Sequence, residues 1–311
     1  MTELELLSPR EVPLGGPRAM TVRRTLPHRE RSFVGAWCFV DHYGPDRVAA
    51  TGGMDVAPHP HTGLQTVSWL FSGEIEHRDS AGVHAMVRPG ELNLMTAGSG
   101  ICHSEVSTPA TDELHGVQLW VVLPATARDT GRDFQHHAAE QVELADGITG
   151  RVFLGDLAQE RSPVRTFTSL LGAELTLAPG TDTRLPVPAG HEHAVLVDRG
   201  GVRLNGRELA AGDLGVLERG PSRLELGSDG PARVILLGGE PFTEEIVMWW
   251  NFIGSDHDEV AGFREEWQAH GDRFGAVRGY RGETGRIPAP AIPGVRLRPR
   301  GRVAGSRRER H

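Results

Sequence analysis

Residues 58–82, PHPHTGLQTVSWLFSGEIEHRDSAG, contain the pattern that decides the fold. The stretch opens on two histidines one residue apart, continues as an apolar β-like run and enters a second run after Ser72-Gly73. The same organisation continues in residues 89–105, PGELNLMTAGSGICHSE, and in residues 114–124, LHGVQLWVVLP. Short apolar runs separated by turn residues are typical of antiparallel sheets. These segments therefore predict an all-β domain.

A second β pattern follows the first and restarts near residue 166. It contains GGVRLNGRELAAGD, residues 200–213, in which Asn205-Gly206 predicts a two-residue hairpin turn. This segment parallels SGEIEHRDSAGVHAMVRPGE, residues 72–91, because each is a strand, a turn, a strand and then a Pro/Ala-Gly-acid tripeptide. We interpret the parallel as an internal duplication that produces two tandem β domains.

The β pattern ends after residue 243, where the apolar period changes. Val260, Phe263 and Trp267 recur at helical spacing behind Ser255-Asp256, which is a typical helix N-terminus. We therefore expect one helix against the β body. The end of the chain is rich in Pro, Arg and Gly with few large apolar residues, so it cannot bury enough surface to offset the entropy of ordering.

Composition excludes several classes of protein. All 33 basic residues among the 311 are arginines, which excludes Schiff-base and P-loop lysine chemistry. The net charge of -8 is unevenly distributed, since residues 287–311 hold seven arginines and one glutamate. An acidic body with scattered arginines disfavours direct nucleic-acid binding.

Two further features indicate the compartment. Cys38 and Cys102 are the only cysteines, too few for a disulfide framework or a thiolate zinc site, which fits a reducing environment. Residues 1–12, MTELELLSPREV, carry acids where a signal peptide is basic, and no apolar run approaches the ~18 residues of a membrane span. We expect a cytoplasmic protein that does not contact a membrane.

Two residue pairs with the same spacing indicate a metal site. His59 and His61 are one residue apart, and His103 and Glu105 repeat that spacing. Because side chains two residues apart in an extended chain share a face, each pair can direct two ligands into one interior. A single His-x-His is found on a protein surface about as often as in a metal site. Two pairs with the same spacing, each bounded by turn residues, favour a metal centre. Three imidazoles and a carboxylate suit a divalent Fe, Mn, Ni, Cu or Zn ion.

The same residues resemble a known family. Gly53, His59 and His61 keep the spacing of the first cupin motif, His103 lies in the second, and the three segments quoted first closely resemble the pirin family of bicupins. The resemblance is dense in the N-terminal domain and loose elsewhere. It implies two tandem cupin barrels, or jelly rolls, with a C-terminal helix. It also implies one mononuclear metal, usually iron(II), held by His59, His61, His103 and Glu105.

The pattern and the resemblance together predict four segments. They are a metal-binding cupin domain (1–130), a linker (131–165), a second cupin domain with the terminal helix (166–285) and a disordered basic tail (286–311).

The second domain contains another His-x-His, His191 and His193. Arg223 is the residue that we align with the second-motif histidine, and an arginine cannot ligate a cation. We therefore expect this barrel to be structural or regulatory. In the first domain, Gln65 stands where the family often has glutamate, which predicts altered surroundings of the metal rather than its loss. Strand alternation points Cys102 away from the metal face, as a small packed residue.

Other polar and aromatic residues have two readings each. His77 and Asp79 lie two apart, so they either flank the metal face or end a solvated hairpin. His115 and Gln118 either line a pocket or satisfy buried backbone groups, and we favour the latter. Trp249-Trp250 is expected to pack the C-terminal segment onto the barrel.

The resemblance implies two classes of function. In the first, the protein is a quercetin 2,3-dioxygenase, in which dioxygen opens a metal-bound flavonol with release of carbon monoxide. Glu105 is then both a metal ligand and the catalytic base that takes the 3-hydroxyl proton. In the second, the protein is a non-enzymatic, iron-dependent regulator that binds a transcription factor or a metabolic enzyme. An enzyme needs a roomy pocket open to the metal, whereas a sensor can enclose its ion.

Overall fold

The computed structural model describes residues 3–14 and 20–302. The first twelve strands are β1 (Leu4–Leu7), β2 (Arg10–Leu14), β3 (Met20–Leu26), β4 (Trp37–Arg47), β5 (Asp55–His61), β6 (Leu64–Ser72), β7 (Ile75–Asp79), β8 (His84–Val87), β9 (Glu91–Thr96), β10 (Ile101–Ser107), β11 (Glu113–Val122) and β12 (Asp133–Ala138). The later strands are β13 (Val142–Ala145), β14 (Ile148–Leu154), β15 (Asp156–Leu157), β16 (Glu160–Arg161), β17 (Leu170–Leu177), β18 (Thr181–Pro186), β19 (Glu192–Arg199), β20 (Val202–Leu204), β21 (Arg207–Leu209), β22 (Leu214–Leu217), β23 (Arg223–Ser228), β24 (Ala232–Gly239), β25 (Val247–Trp249) and β26 (Phe252–Gly254). Two helices, α1 (Val48–Thr51) and α2 (His257–Gln268), precede a 3-10 turn at Asp272–Phe274.

Each barrel is built from one large and one small antiparallel sheet. In the first barrel the strand orders are β12-β9-β6-β11-β4-β3-β2 and β5-β10-β7-β8. In the second they are β1-β22-β19-β24-β17-β14-β13 and β18-β23-β20-β21. The orders correspond strand for strand, which confirms the predicted all-β fold of two tandem barrels and gives the internal duplication a structural basis.

The outermost strand of each large sheet comes from an unexpected part of the chain. β1, near the N-terminus, pairs with β22 of the second barrel, whereas β12, after the first barrel, pairs with β9. β13 and β14 belong to the second barrel, so the prediction of a linker over 131–165 is wrong for most of that stretch. Its polar composition misled because strands at a sheet edge keep polar side chains on their solvent side.

The two barrels pack through a continuous apolar core that contains residues of both. The indole Nε1 of Trp37 donates to the carbonyl oxygens of Leu171 and Gly238, at 3.2 and 3.1 Å. Gly35, at a φ of +53°, lies so close to Gly239 that a Cβ on it would be 2.6 Å from the Gly239 Cα. Only glycine allows this approach, and the interface is therefore a close backbone contact as well as an apolar one.

Helix α2 forms where the sequence predicts it. The Asp256 carboxylate accepts from the backbone N–H groups of Asp258 and Glu259, at 2.9 and 3.0 Å, which satisfies two donors at the helix start. Val260, Phe263 and Trp267 form its buried face. The one-turn helix α1 was not predicted. Within the described residues, neither helix is long and apolar enough to span a membrane.

The tail departs from prediction. The Trp267 Nε1 donates to the Ile287 carbonyl at 2.9 Å, the Ile287 N–H donates to the Pro58 carbonyl at 2.8 Å, and Ala289 is buried. Disorder is therefore the wrong prediction for residues 286–302, because backbone hydrogen bonds and arginine ion pairs hold a segment that has little apolar area. The rest of the predicted tail, residues 303–311, lies outside the described residues.

Candidate metal centre

Three of the predicted ligands converge inside the first barrel. β5 and β10 are neighbours, in a register that pairs His103 with His59 and Ile101 with His61. One ring nitrogen from each of the three histidines lies within 4.8 Å of the other two, and Nε2 of His61 is 3.1 Å from Nε2 of His103. All three rings are buried. His59 and His61 therefore lie on the same face of β5, as the two-residue period of a strand predicts.

Glu105 lies in the same interior, past an irregularity in β10 that separates it from His103. Its carboxylate is within 4.8 Å of ring nitrogens of His103 and His77, while Ser68 Oγ donates to its Oε1 at 2.8 Å. Glu105 thus belongs to a second cluster, with His77 and His103, and His103 is common to this cluster and the one formed by the three histidines. Its place in the ligand set stays a prediction.

The electrostatics of the site suit a cation. Burial lowers the pKa of His59 to about 4, and burial together with the neighbouring imidazoles holds the pKa values of His61 and His103 well below the usual range. The rings are neutral at pH 7, which is the form that ligates a metal. Two neutral imidazole nitrogens 3.1 Å apart share at most one proton, whereas a cation between them satisfies both lone pairs. The donor set fits a divalent first-row ion.

A cavity of about 360 Å³ adjoins the four predicted ligands, which all line it. Phe39 and Trp120 form one wall as a stacked pair with ring centres 4.0 Å apart. The Arg24 guanidinium lies 4.2 Å above the Phe39 ring and donates to both oxygens of the buried Asp41. The lining therefore includes aromatic side chains and an arginine, and the two faces of the Phe39 ring are covered by Trp120 and Arg24.

The hairpin of β25 and β26 contributes residues that sequence reasoning missed. Met248, Trp250 and Asn251 line the cavity, and Ile287 from the tail joins them. Trp250 has a φ of +52°, a strained conformation for a bulky residue and one that often marks functional sites. Trp249 and Trp250 both pack against Phe252, with ring centres 6.4 and 5.4 Å away, as predicted, and Trp250 in addition lines the cavity. The only sequence signal was the pair of adjacent tryptophans.

Five other residues of the first barrel lie at or near the site. Gln118 lines the cavity and Ser68 lies 3.1 Å from its Oε1, so the favoured backbone role is wrong. Cys102 is buried on a different cavity, where burial raises the pKa of its thiol to about 12. Gln65 is fully buried and donates to the Thr96 hydroxyl at 2.9 Å. His77 and Asp79 are buried beside His103 rather than solvated.

A second cluster, His42, His115 and Asp198, also has ligand-like spacing but lies beside two arginines. Nε2 of each histidine lies within 2.8 Å of Asp198 Oδ1. The Nη2 of Arg23 is 3.2 Å from Nδ1 and 3.3 Å from Nε2 of His42, and the Nη2 of Arg233 is 3.5 Å from Nδ1 of His115. These guanidinium groups already supply positive charge to the cluster, which disfavours a bound cation. His115 therefore bonds a carboxylate and does not satisfy backbone groups.

The second barrel has different residues at the ligand positions. β10 pairs with β7 at Glu105 and His77, and the corresponding strands β23 and β20 pair at Leu226 and Leu204. Counting from Leu226, the residue that matches His103 is Leu224, which pairs with Leu185 of β18. The inward positions of β18 and β23 therefore carry buried apolar side chains, which are Leu185, Val187, Leu224 and Leu226. The alignment on Arg223 was therefore wrong by one residue, and Arg223 is exposed.

His191 and His193 lie at the start of β19, which corresponds to β6 and not to the ligand strand β5. His193 is buried with no hydrogen-bond partner at either ring nitrogen, while His191 Nε2 is 2.9 Å from Ser169 Oγ. This His-x-His is thus not the counterpart of His59 and His61. Within residues 3–14 and 20–302, the second barrel contributes no group of three ligands of its own.

Fold and site together define the class of the protein: a bicupin, with a buried histidine and carboxylate cluster in its first barrel. The family models for pirin and for the pirin C-terminal cupin domain match residues 19–121 and 172–275. The chain belongs to the pirin family.

Individual relatives agree with this assignment. The chain is 41% identical over 93% of its length to a Pseudomonas aeruginosa protein called "Putative quercetin 2,3-dioxygenase PA1205", of which it covers 91%. It is 29% identical to human pirin, over 77% of this chain and 83% of that one. Among solved structures, a quercetin 2,3-dioxygenase from Acinetobacter baumannii has a TM-score of 0.90 and 37% identity, covering 95% of this chain and 97% of that one.

Proposed function

We propose that this protein is an iron(II)-dependent dioxygenase that cleaves a flavonol such as quercetin with dioxygen, using His59, His61, His103 and Glu105 as metal ligands. The observation that carries the proposal is the cavity beside these residues. Its lining runs from the buried ligands to the partly exposed Trp250 and Ile287. A site that only sensed iron would need no such space.

The cavity walls suit a flat polyphenol. Phe39 and Trp120 add aromatic area to the lining beside the proposed metal ligands, and aromatic side chains favour contact with an aromatic ligand. The Arg24 cation on Phe39 favours phenolic oxygens that carry partial negative charge. The names of the Pseudomonas and Acinetobacter relatives point to the same substrate class.

When bound, the metal supplies a Lewis acid that lowers the pKa of a substrate hydroxyl and orients it. Glu105 then accepts the 3-hydroxyl proton. Ser68 holds Oε1 of this carboxylate at 2.8 Å, which leaves Oε2 to accept. Burial raises the pKa of Glu105 in the metal-free site, against the opposing effects of His77 and Ser68. Trp250 and Met248 exclude water from the reacting centre.

Cytoplasmic location is part of the proposal. Cys38 and Cys102 are both free and buried, as expected where thiols stay reduced.

The test is an aerobic reaction of quercetin with the protein loaded with Fe(II), followed by loss of flavonol absorbance and by release of carbon monoxide. Parallel samples loaded with Mn, Ni, Cu or Zn identify the metal. His191→Ala is the matched control, since this histidine lies in the other barrel, and it should react as wild type does. If no flavonol reacts faster than with free metal, the enzyme proposal is wrong and the regulator reading replaces it.

A further inference from the structure

His77 and Asp79 form a hydrogen-bonded chain that ends on His103. Both lie on β7, whose register with β10 places Asp79 opposite His103 and His77 opposite Glu105. Nδ1 of His77 is 3.4 Å from Nδ1 of His103, and Nε2 of His77 is 3.3 Å from Oδ2 of Asp79. All three side chains are at most 3% exposed. The proposed mechanism uses neither His77 nor Asp79.

The hydrogens along this chain can be assigned from its ends. An ionised carboxylate only accepts, so Nε2 of His77 carries the hydrogen that bonds Asp79. Nδ1 of an uncharged His77 is then a bare acceptor, and Nδ1 of His103 must donate to it. The remaining nitrogen of His103, Nε2, is left with its lone pair. This is the nitrogen that faces His61 at 3.1 Å.

Asp79 is itself held in place by the turn that follows it. Its Oδ1 accepts from the backbone N–H groups of Ala81 and Val83, at 2.8 and 3.1 Å. Because Oδ1 is bound to the turn, Oδ2 is directed at His77. The turn between β7 and β8 thus determines the orientation of an imidazole two side chains away.

We propose that His77 and Asp79 are positioning residues that fix the tautomer of His103 and so present its Nε2 lone pair to the metal. The inference rests on the proposed function, because it takes His103 as a ligand. It adds that the strength of the metal site is set from β7, a strand that contributes none of the four proposed ligands. Carboxylates and other outer partners of a ligating histidine typically change metal affinity by about 10–100-fold.

The sharpest test is Asp79→Asn. The amide retains an oxygen for Ala81 and Val83 but turns an NH₂ group toward His77. Nε2 of His77 must then accept, its Nδ1 must donate, and Nδ1 of His103 must accept, which moves the hydrogen of His103 onto Nε2. We expect affinity for Zn(II) or Fe(II), measured by chelator competition, to fall by about 10–100-fold. In the metal-free protein, ¹⁵N chemical shifts should show His103 changing from the Nδ1–H to the Nε2–H tautomer.

Glu76→Gln is the matched control. Glu76 lies on the same strand but bonds Arg78 and His84 near the surface, at 2.7 Å each, so its removal should alter neither affinity nor tautomer. His77→Phe is the second variant, in case Asp79→Asn does not fold. It retains an aromatic ring and removes the acceptor, and we expect an affinity loss of at least about tenfold.

Two results would overturn the inference, and only the second would also overturn the proposed function. If Asp79→Asn and His77→Phe bind metal as wild type does while His103→Ala loses it, the positioning role is wrong and the proposed function stands. If His103→Ala binds as tightly as wild type, His103 is not a ligand, and both proposals fail together.

Discussion

His115 of the first barrel and Asp198 of the second are joined by a 2.6 Å contact between Nε2 and Oδ1. His42 reaches the same oxygen at 2.8 Å, and the Nε of Arg233 donates to Oδ2 at 2.7 Å. One buried carboxylate therefore joins two histidines of the first barrel to an arginine of its own barrel. These partners hold the pKa of Asp198 far below its usual range, against the opposing effect of burial.

Asp198→Asn should weaken this interface strongly. The substitution removes the charge that pairs with Arg233 and leaves a nearly buried guanidinium with only the 4.0 Å contact to Glu174, and breaking a buried pair typically costs about 3–5 kcal/mol. Chemical denaturation should show that loss in the free energy of unfolding. The control is Asp156→Asn, which breaks an exposed pair with Arg161 and should cost less than about 1 kcal/mol. Equal stabilities for the two variants would contradict the role given to Asp198.

Glu105→Gln should separate metal binding from catalysis. Glutamine retains a coordinating oxygen and nearly the same volume but loses basicity, so a substantial share of the metal should remain. Flavonol cleavage should fall by a factor of roughly 10² to 10⁴. Metal analysis and turnover measured on the same preparation decide the matter. Activity near that of wild type, with metal retained, would remove Glu105 from the mechanism.

One metal ion per chain is expected, in the first barrel. Elemental analysis should find about one equivalent in wild type and a sharp fall in His61→Ala, because a neutral imidazole is lost from a site without thiolates. The second barrel has buried apolar residues, Leu185, Val187 and Leu224, where the first has histidines. His191→Ala should therefore leave the metal content unchanged. A stoichiometry near two, reduced to one by His191→Ala, would contradict an empty second barrel.

Acid should destabilise the protein partly through His193. Burial, with the charge of His191, lowers the pKa of His193 to about 4 in the folded state, against about 6.5 in an unfolded chain. Above about pH 6.5 His193 is neutral in both the folded and the unfolded state, and the free energy of unfolding does not depend on its titration. Below it the unfolded state gains a proton first, so the free energy of unfolding falls by up to about 1.4 kcal/mol per pH unit until pH 4.

His193→Leu should remove that part of the pH dependence. Denaturation at pH 7 and pH 4.5 gives the slope for wild type and variant. His84→Leu, at a histidine with a 47% exposed side chain, is the control and should keep the wild-type slope. If His193→Leu keeps it too, this residue does not carry the effect.

Deletion of residues 287–311 should lower the melting temperature by about 5 °C. It removes the hydrogen bond from Trp267 to Ile287 and the backbone bridge between Arg300 and Ile246, each worth about 1 kcal/mol. Val295→Ala is the control, since Val295 is 71% exposed. An unchanged melting temperature after the deletion would show that the contacts of the tail do not stabilise the body.

The fold and the three histidines of the site were predictable because both follow from local periods. A strand has a period of two, so His59 and His61 must share a face, and helix α2 shows its period of 3.6 at Val260, Phe263 and Trp267. Neither inference needs knowledge of distant parts of the chain.

What the sequence did not reveal depends on pairing between distant segments. Nothing near Asp198 indicates that it meets His42 and His115, and nothing near Trp250 indicates that it reaches the cavity. Arg223 was misaligned because a shift of one residue in a strand reverses which side chains face inward. The tail was predicted to be disordered because its composition indicates little apolar area, and composition does not reveal the backbone hydrogen bonds that order it.

The position of β1 has a consequence for synthesis and for evolution. β1 precedes the whole first barrel in the chain, yet its partner β22 is made only after that barrel, so β1 lacks its partner strand until then. A fragment cut at residue 130 would lack β12 and retain β1 without a partner. Recombination therefore cannot transfer the second barrel as a self-contained cassette, since its outermost strand β1 is encoded ahead of the first barrel.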